Sequence, residues 1–258
     1  MVVPFDYDTE PKERVPTCNL CGAVSPEPER IRDRYGLSVG LSRCACGLMY
    51  LNPRMTAEAY GEFYAKGHYR RLLSQFYGRK IDASSIERDQ RRYAVKAMAV
   101  LGPHMNGSHG KLLDVGGSTG VVSDAFRNVY DLNATVLEPS EAEADAAEAR
   151  GLSVLRCSLE DVPVSGDNTP LIGTFDVILM CQTIDHLHDI AGSLEKIQGM
   201  LKPKGVFFVD FVSGGPIKID HPYYLNWRTG RQFMKQAGFE VVSASPDADG
   251  LHVNMVCR

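Results

Sequence analysis

The sequence predicts an α/β protein built on a doubly wound, mostly parallel sheet that ends in an antiparallel strand, with a small cysteine-rich module in front. Three observations carry this expectation. From Lys111 onward, apolar runs of strand length alternate with helix-length stretches; the first run empties into a glycine-rich turn; and four of the seven cysteines lie between positions 18 and 46. Strand–helix alternation implies crossover connections and hence a parallel sheet. A chain of 258 residues, 44% apolar and 23% charged, suffices for one medium domain plus a small one.

The elements can be placed in order. Residues 1–55 hold Cys18, Cys21, Cys44 and Cys46 among Pro, Gly and charged residues, and bury too little apolar surface to fold on a core alone. A metal held by the four thiolates would substitute for that core. Residues 56–105 read as a helical linker or lid: Asp82 can cap a helix carrying Ile86, Tyr93, Ala97, Met98 and Leu101, which Gly102-Pro103 stops. The aromatic and basic stretch before it, GEFYAKGHYRRLLSQFYGR, is placed over the neighbouring site. Residues 106–258 form the main domain. Its strands are KLLDV, ATVLE, SVLRC, FDVILM and GVFFVDF, with EVVSAS and LHVNMVC as a closing pair joined by Asp- and Gly-rich sequence. Ser140 with Glu143, and Thr229 with Gln232, read as capping boxes, and Gly151 and Gly238 as helix stops.

Composition narrows the function. A net charge of −4 argues against a broad nucleic-acid footprint and favours a small-molecule substrate. The first twenty residues lack the apolar core of a secretory signal, and the longest apolar run, GVFFVDFV, is too short for a bilayer. We therefore expect a cytoplasmic chain with reduced cysteines, clustered ones serving as metal ligands. Cys157, Cys181 and Cys257 are isolated at strand ends, where packing is the default role.

The glycine-rich turn, Asp114-Val-Gly-Gly-Ser-Thr-Gly120, fails the G-x-G-x-x-G spacing of a dinucleotide site in either register and lacks the Lys of a phosphate loop. It does fit D-x-G-x-x-x-G with an acid at the strand end. An anion there repels a pyrophosphate but suits a ligand carrying an ammonium and a sulfonium. At the end of the second strand, Glu138 can accept the hydroxyls of a ribose. The polar turn Cys157-Ser-Leu-Glu-Asp161 follows the third strand, where an adenine edge can be read.

LLDVGGSTG, VLEPS, LEDVP, FDVILMCQTIDHLHD, LKPKGVFFVD and QAGFEVV together resemble the class I S-adenosylmethionine (SAM)-dependent methyltransferases, a Rossmann-like family, over roughly residues 107–258. The resemblance implies that Asp114, Gly116, Gly117 and Gly120 hold the methionine part of SAM. It places Glu138 and Pro139 at the ribose, Ser158 and Leu159 beside the adenine, and Cys181 near the amino acid group. Ser118 stands where the family has a third glycine, and fits if its φ is negative. CNLCG and SRCACGLMYLNPR resemble the N-terminal zinc-binding domain of some bacterial methyltransferases, including nucleotide-sugar C-methyltransferases. That implies one structural zinc on Cys18, Cys21, Cys44 and Cys46. The second pair is one residue shorter than in the family, so a metal-free remnant or a Cys18/Cys21 redox pair stands as a rival.

Asp185 and His186 match the family's Glu-His pair after the fourth strand, which implies a general base in His186 supported by Asp185. Imidazole titrates near neutral pH and can take the acceptor's proton. His188 reads as a solvated neighbour. His221 and Tyr223 fall in the segment that covers the acceptor in the family, and are expected to contact substrate. The function expected is methylation of an oxygen or carbon of a small polar metabolite, a sugar or sugar nucleotide first. An RNA methyltransferase gripping nucleic acid with its zinc module, or a SAM-binding regulator without turnover, are the alternatives.

Overall fold

In the computed structural model, residues 5–105, 109–163, 171–246 and 250–258 are described. The N-terminal part contains β1 (Lys12–Glu13), β2 (Glu29–Arg32), β3 (Ser38–Arg43), β4 (Met49–Leu51) and β5 (Arg54–Met55). Helices α1 (Ala57–Ala65), α2 (His68–Tyr77) and α3 (Ala83–Leu101) follow. The remainder is β6 (Gly110–Val115), α4 (Val121–Tyr130), β7 (Leu132–Leu137), α5 (Glu141–Ala149), β8 (Ser153–Leu155), β9 (Phe175–Cys181), α6 (Ile190–Met200), β10 (Leu201–Val212), β11 (Tyr223–Tyr224), α7 (Trp227–Gln236), β12 (Val241–Pro246) and β13 (His252–Cys257).

Seven strands form the main sheet in the order β12-β13-β10-β9-β6-β7-β8. All pairings are parallel except those of β13, which runs against both β10 and β12. This is the doubly wound sheet the alternation predicts. Both faces of β6 are covered: Leu113 and Val115 join the core cluster under α6 and α7, while Leu112 joins the cluster under α3 and α4. A strand buried on both sides reads as a continuous apolar run, which is why KLLDV was legible. The order reverses at β6, with β7 on one side and β9 on the other, so the loops after β6 and β9 open a crevice at their carboxyl ends.

Local signals explain most helix starts, with two corrections. Asp82 caps α3 through a reciprocal capping box with Ser85. α7 begins at an Asn226–Thr229 box, three residues before the Thr229–Gln232 pair the sequence suggested. Ser140 does precede α5, but its side chain makes no capping bond; its N–H donates to Glu138 Oε1, and the Glu143 carboxylate is committed to Arg70 and Ser118 instead of closing the box. The Asp- and Gly-rich connection expected before β13 includes 247–249, outside the described residues.

The N-terminal part is built from hairpins that alternation did not reveal. β2, β3 and β4 pair in sequence, and β4 then pairs with β11, from the segment between β10 and α7. The resulting sheet joins residues on both sides of the central domain's first strand. Leu20, Leu48 and Tyr50 of this part share a core cluster with Ile190, Leu194 and Phe211 of the main domain.

Candidate active site

The loop after β6 is shaped by close approach. Gly116 has φ +68°, and a Cβ there would meet Thr183 Oγ1 at 2.6 Å. A Cβ on Gly117 would meet Asp114 Oδ2 at 2.8 Å. Gly120, also left-handed, packs its α-carbon towards Leu152 and Ala147, outside the cavity lining. Ser118 departs from the sequence expectation: its φ is +52°, the conformation of the glycine it replaces. Its N–H donates to Glu138 Oε2 at 3.0 Å and its hydroxyl to Glu143 Oε2 at 3.2 Å, so hydrogen bonds offset the strain.

Two adjoining cavities share Gly116, Gln90, Cys181 and Gln182. The smaller, about 170 Å³, is lined by Asp114, Gly117 and Tyr93 as well. The larger, about 290 Å³, runs along Glu138, Pro139, Ser158 and Leu159 to Tyr64, Tyr69, His186 and Leu187. The structure thus brings Asp114, Gly116, Gly117, Glu138, Pro139, Ser158, Leu159 and Cys181 around one continuous crevice.

Its electrostatics favour a cation. Asp114 is buried; Ser123 donates to its Oδ2 at 2.6 Å, but Oδ1 has no hydrogen-bond partner. Burial pushes its carboxyl up to about 7, against the pull of Ser123. Glu138 is pushed up to about 7 as well, by burial and then by the neighbouring Glu143, although the N–H groups of Ser118 and Ser140 donate to it. A buried acid lacking a partner favours a ligand that brings positive charge. This lining is compatible with SAM, for which the resemblance assigns Asp114 and the Gly116–Gly117 backbone to the methionine end, Glu138 to the ribose, and Ser158 and Leu159 to the base.

At the other end, the turn Ile184–His186 after β9 carries the expected base. His186 Nδ1 lies 2.9 Å from the backbone carbonyl of Asp220 and 2.6 Å from the hydroxyl of Tyr64, which itself donates to that carbonyl at 2.7 Å. A carbonyl only accepts, so Nδ1 carries the ring proton and Nε2 is left as the basic nitrogen. Burial and the nearby His221 lower the ring's pKa to about 4, which keeps it neutral at ordinary pH. The titration expected near neutrality is therefore displaced.

Other expected roles change. Asp185 does not hydrogen-bond His186; its Oδ2 pairs with His221 Nδ1 at 2.7 Å. Burial pushes Asp185 up, but His221 and then His186 outweigh it and hold the carboxyl well below its usual range. His221 and Tyr223 are buried and do not line the cavity. Instead, Tyr223 donates to the carbonyl of His188 at 3.1 Å and accepts from Arg54 at 2.8 Å. His188 is half-buried rather than freely solvated: its Nε2 lies 2.9 Å from Glu13 Oε1, and its N–H donates to Glu160 at 2.8 Å. Donor atoms of Asp185, His186 and His221 lie within 4.8 Å of one another; Asp185 Oδ2 pairs with His221 Nδ1 and His186 Nδ1 with the Asp220 carbonyl, while Asp185 Oδ1 has no hydrogen-bond partner. We read this group as a proton-holding network.

Sequence reasoning missed Tyr64 and Tyr69, whose rings stand edge-on to His186 at 5.6 and 6.1 Å, and Arg70, which pairs with Glu143 at 2.5 Å over the ribose end. It placed their segment over the site without naming them. Gln182, with φ +53° and its N–H donating to Asp210 Oδ1 at 2.7 Å, had no sequence signal.

The four N-terminal cysteines also converge. Cys18 and Cys46 Sγ are 3.6 Å apart, Cys21 and Cys44 Sγ are 3.5 Å apart, and all four lie within 4.8 Å. A tetrahedral zinc with Zn–S bonds of about 2.3 Å sets its sulfurs about 3.8 Å apart, so these spacings are compatible with one despite the shortened Cys44–Cys46 knuckle.

Sheet order, glycine loop and paired acids define a class I SAM-dependent methyltransferase. The chain belongs to the methyltransferase-domain family, whose sequence pattern matches residues 86–244, and it is an enzyme of that kind. Two ubiquinone biosynthesis O-methyltransferases from Actinobacillus pleuropneumoniae are 31% and 30% identical to it over 115 residues, 42% of this chain and 48% of theirs. The chain thus matches about half the length of those relatives. A SAM-dependent methyltransferase from Leishmania major shares the fold across 90% of this chain and 96% of that one, with TM-score 0.59 and 18% identity. The geranyl diphosphate C-methyltransferase of Streptomyces coelicolor does so over 65% and 79%, with TM-score 0.53 and 13% identity. Among the described residues, no helix is long and apolar enough to cross a membrane.

Proposed function

We propose that the protein methylates a hydroxyl oxygen of a small, uncharged, ring-containing metabolite, with His186 as the general base. The observation that carries this is the His186 imidazole on the wall of the cavity, its Nδ1 2.9 Å from the Asp220 carbonyl and 2.6 Å from the Tyr64 hydroxyl. Bound SAM supplies an electrophilic methyl on a sulfonium. As the acceptor oxygen attacks the methyl, the methyl–sulfur bond would break with its electron pair left on the sulfur of S-adenosylhomocysteine, His186 Nε2 would take the hydroxyl proton, and the Asp220 carbonyl would stabilise the imidazolium that forms. Tyr64 and Tyr69, on the cavity wall beside His186, offer aromatic surface against which a flat ring can pack.

A sugar or a phenol fits this description, and the two O-methyltransferase relatives support oxygen over carbon. The sugar-nucleotide form of the expectation draws less support. The described cavity wall offers Glu138, Glu143 and Glu160 but one cation, Arg70, already paired with Glu143, which is poor company for a diphosphate. We also propose one structural zinc on Cys18, Cys21, Cys44 and Cys46. A panel of sugars, sugar nucleotides and catechols, read by release of S-adenosylhomocysteine (SAH), tests the acceptor. Turnover confined to sugar nucleotides would overturn the uncharged-acceptor reading, and metal analysis of protein purified without added zinc decides the second proposal.

A further inference from the structure

We propose that the N-terminal cysteine module positions the catalytic turn, with Asn19 and Arg54 as its positioning residues. This rests on the reading of His186 as the base. An N-terminal module on a methyltransferase can grip the substrate, but here none of the described residues lining the large cavity comes from positions 5–55. The module reaches the chemistry through the backbone on the C-terminal side of His186.

Two contacts make the link. Asn19 sits inside the first knuckle, between Cys18 and Cys21, where Gly22 N–H closes the turn onto the Cys18 carbonyl at 2.9 Å. Its Nδ2 donates to Asp189 Oδ1 at 2.8 Å, and its Oδ1 accepts from the N–H of Ala191 at 3.1 Å. Asp189 is the N-cap of α6 and accepts from Gly192 N–H at 3.1 Å. A helix start has unsatisfied N–H groups, and here one of them is satisfied by a residue fixed by the knuckle. The second contact is Arg54, buried on β5. It donates from Nε to Glu13 at 3.0 Å and from Nη1 to the His188 carbonyl at 2.7 Å and the Tyr223 hydroxyl at 2.8 Å. Asn19 and Arg54 therefore hold residues 188–191, immediately after His186. A thiolate site that fixes Cys18 and Cys21 fixes Asn19, and with it the start of α6.

The full chain, with metal bound and after chelation, can be compared with Asn19→Ala and Arg54→Lys. Readouts are amide exchange over 184–192, SAH calorimetry, metal content, and steady-state kinetics with catechol or whichever acceptor the panel yields. Asn19→Ala should keep its metal and its SAH affinity, and exchange the Ala191 and Gly192 amides about tenfold faster, the factor one hydrogen bond is worth. Its kcat should fall by a similar factor with acceptor KM unchanged. Loosening the turn also exposes His186, so the acid limb of the pH–rate profile should move to higher pH. A mere loss of folded protein would not shift that midpoint. Chelation should give the same exchange pattern in the wild type. Arg54→Lys, which keeps the charge beside Glu13 but loses the guanidinium fork that spans Glu13, the His188 carbonyl and the Tyr223 hydroxyl, covers the case that Asn19→Ala does not fold. Unchanged exchange over 184–192 in both variants, or a raised acceptor KM at constant kcat, would overturn the proposal. Full activity in His186→Asn would instead overturn the base reading, and leaves the exchange result standing.

Discussion

The two ends of the crevice treat buried carboxylates in opposite ways. At the cofactor end, burial pushes Asp114 and Glu138 up to about 7, and Asp114 Oδ1 has no partner. At the acceptor end, Asp185 and Asp220 are as deeply buried, yet both are held below their usual range. For each, burial is the largest influence and acts upward, but His221 beside both and Lys218 beside Asp220 outweigh it. The difference lies in who brings the positive charge. The protein supplies it at the acceptor end, where geometry must be set before substrate arrives. Around Asp114, whose Oδ1 has no hydrogen-bond partner, it is left to the ligand, so binding completes the site.

The largest effect that can break this comparison is on turnover. His186→Asn should lower kcat by about 10²–10⁴-fold with SAM affinity nearly unchanged, since the ring serves the acceptor. Because burial has already lowered its pKa to about 4, the wild-type rate should show no histidine limb between pH 6 and 8. A limb in that range would mean that the base is another group or that the ring is solvated.

Next in size is cofactor binding. Asp114→Ala or Glu138→Ala should weaken SAM about tenfold to a hundredfold, the range for losing a charged hydrogen-bonding partner, as read by calorimetry. Wild-type affinity in both variants would mean that SAM lies elsewhere.

That Asp114, Gly116, Gly117, Glu138, Ser158 and Leu159 line one crevice was legible in the sequence because the constraints are local: a glycine loop, an acid at each strand end, and strands buried on both faces. The acceptor half was not. Asp185 and His186 are adjacent in sequence, which suggested a pair, yet Asp185 pairs with His221 across the turn and His186 is held by Tyr64 from α1. Contacts between residues 64, 186 and 220 are set by the tertiary fold, and no spacing announces them. Tyr223 was placed at the substrate from its position in the covering segment. It became a strand partner of Tyr50 instead, because the N-terminal hairpins that recruit it had no periodic signature.

A smaller effect is the pH dependence of binding. The ligand's positive charge favours ionised Asp114 and Glu138, so SAM affinity should rise with pH through about 7 and level off above it. Stability of the unliganded protein runs the other way. A carboxyl whose folded pKa is raised holds its proton longer in the folded state, so stability falls as pH climbs from about 4 to 7. The melting-temperature gain from saturating SAM should therefore be larger at pH 8 than at pH 5.5. An equal gain at both values would mean that the two acids are ionised without ligand.

The smallest effect concerns Ser118, the one position where the loop departs from glycine at a left-handed φ. Holding an L-residue there costs about 1–2 kcal/mol, and a buried hydrogen bond such as Ser118 Oγ to Glu143 returns about 0.5–1.5 kcal/mol. Ser118→Ala keeps the strain and loses the bond, so it should destabilise by about 1 kcal/mol. Ser118→Gly loses the same bond but relieves the strain, so its stability should lie near wild type. Both keep the N–H that donates to Glu138 at 3.0 Å, so SAM affinity should change little in either. The informative quantity is the difference between the two variants, read from denaturant midpoints at constant slope. If alanine and glycine destabilise equally, the left-handed backbone costs nothing here, and the hydroxyl's bond to Glu143 is the whole reason for serine.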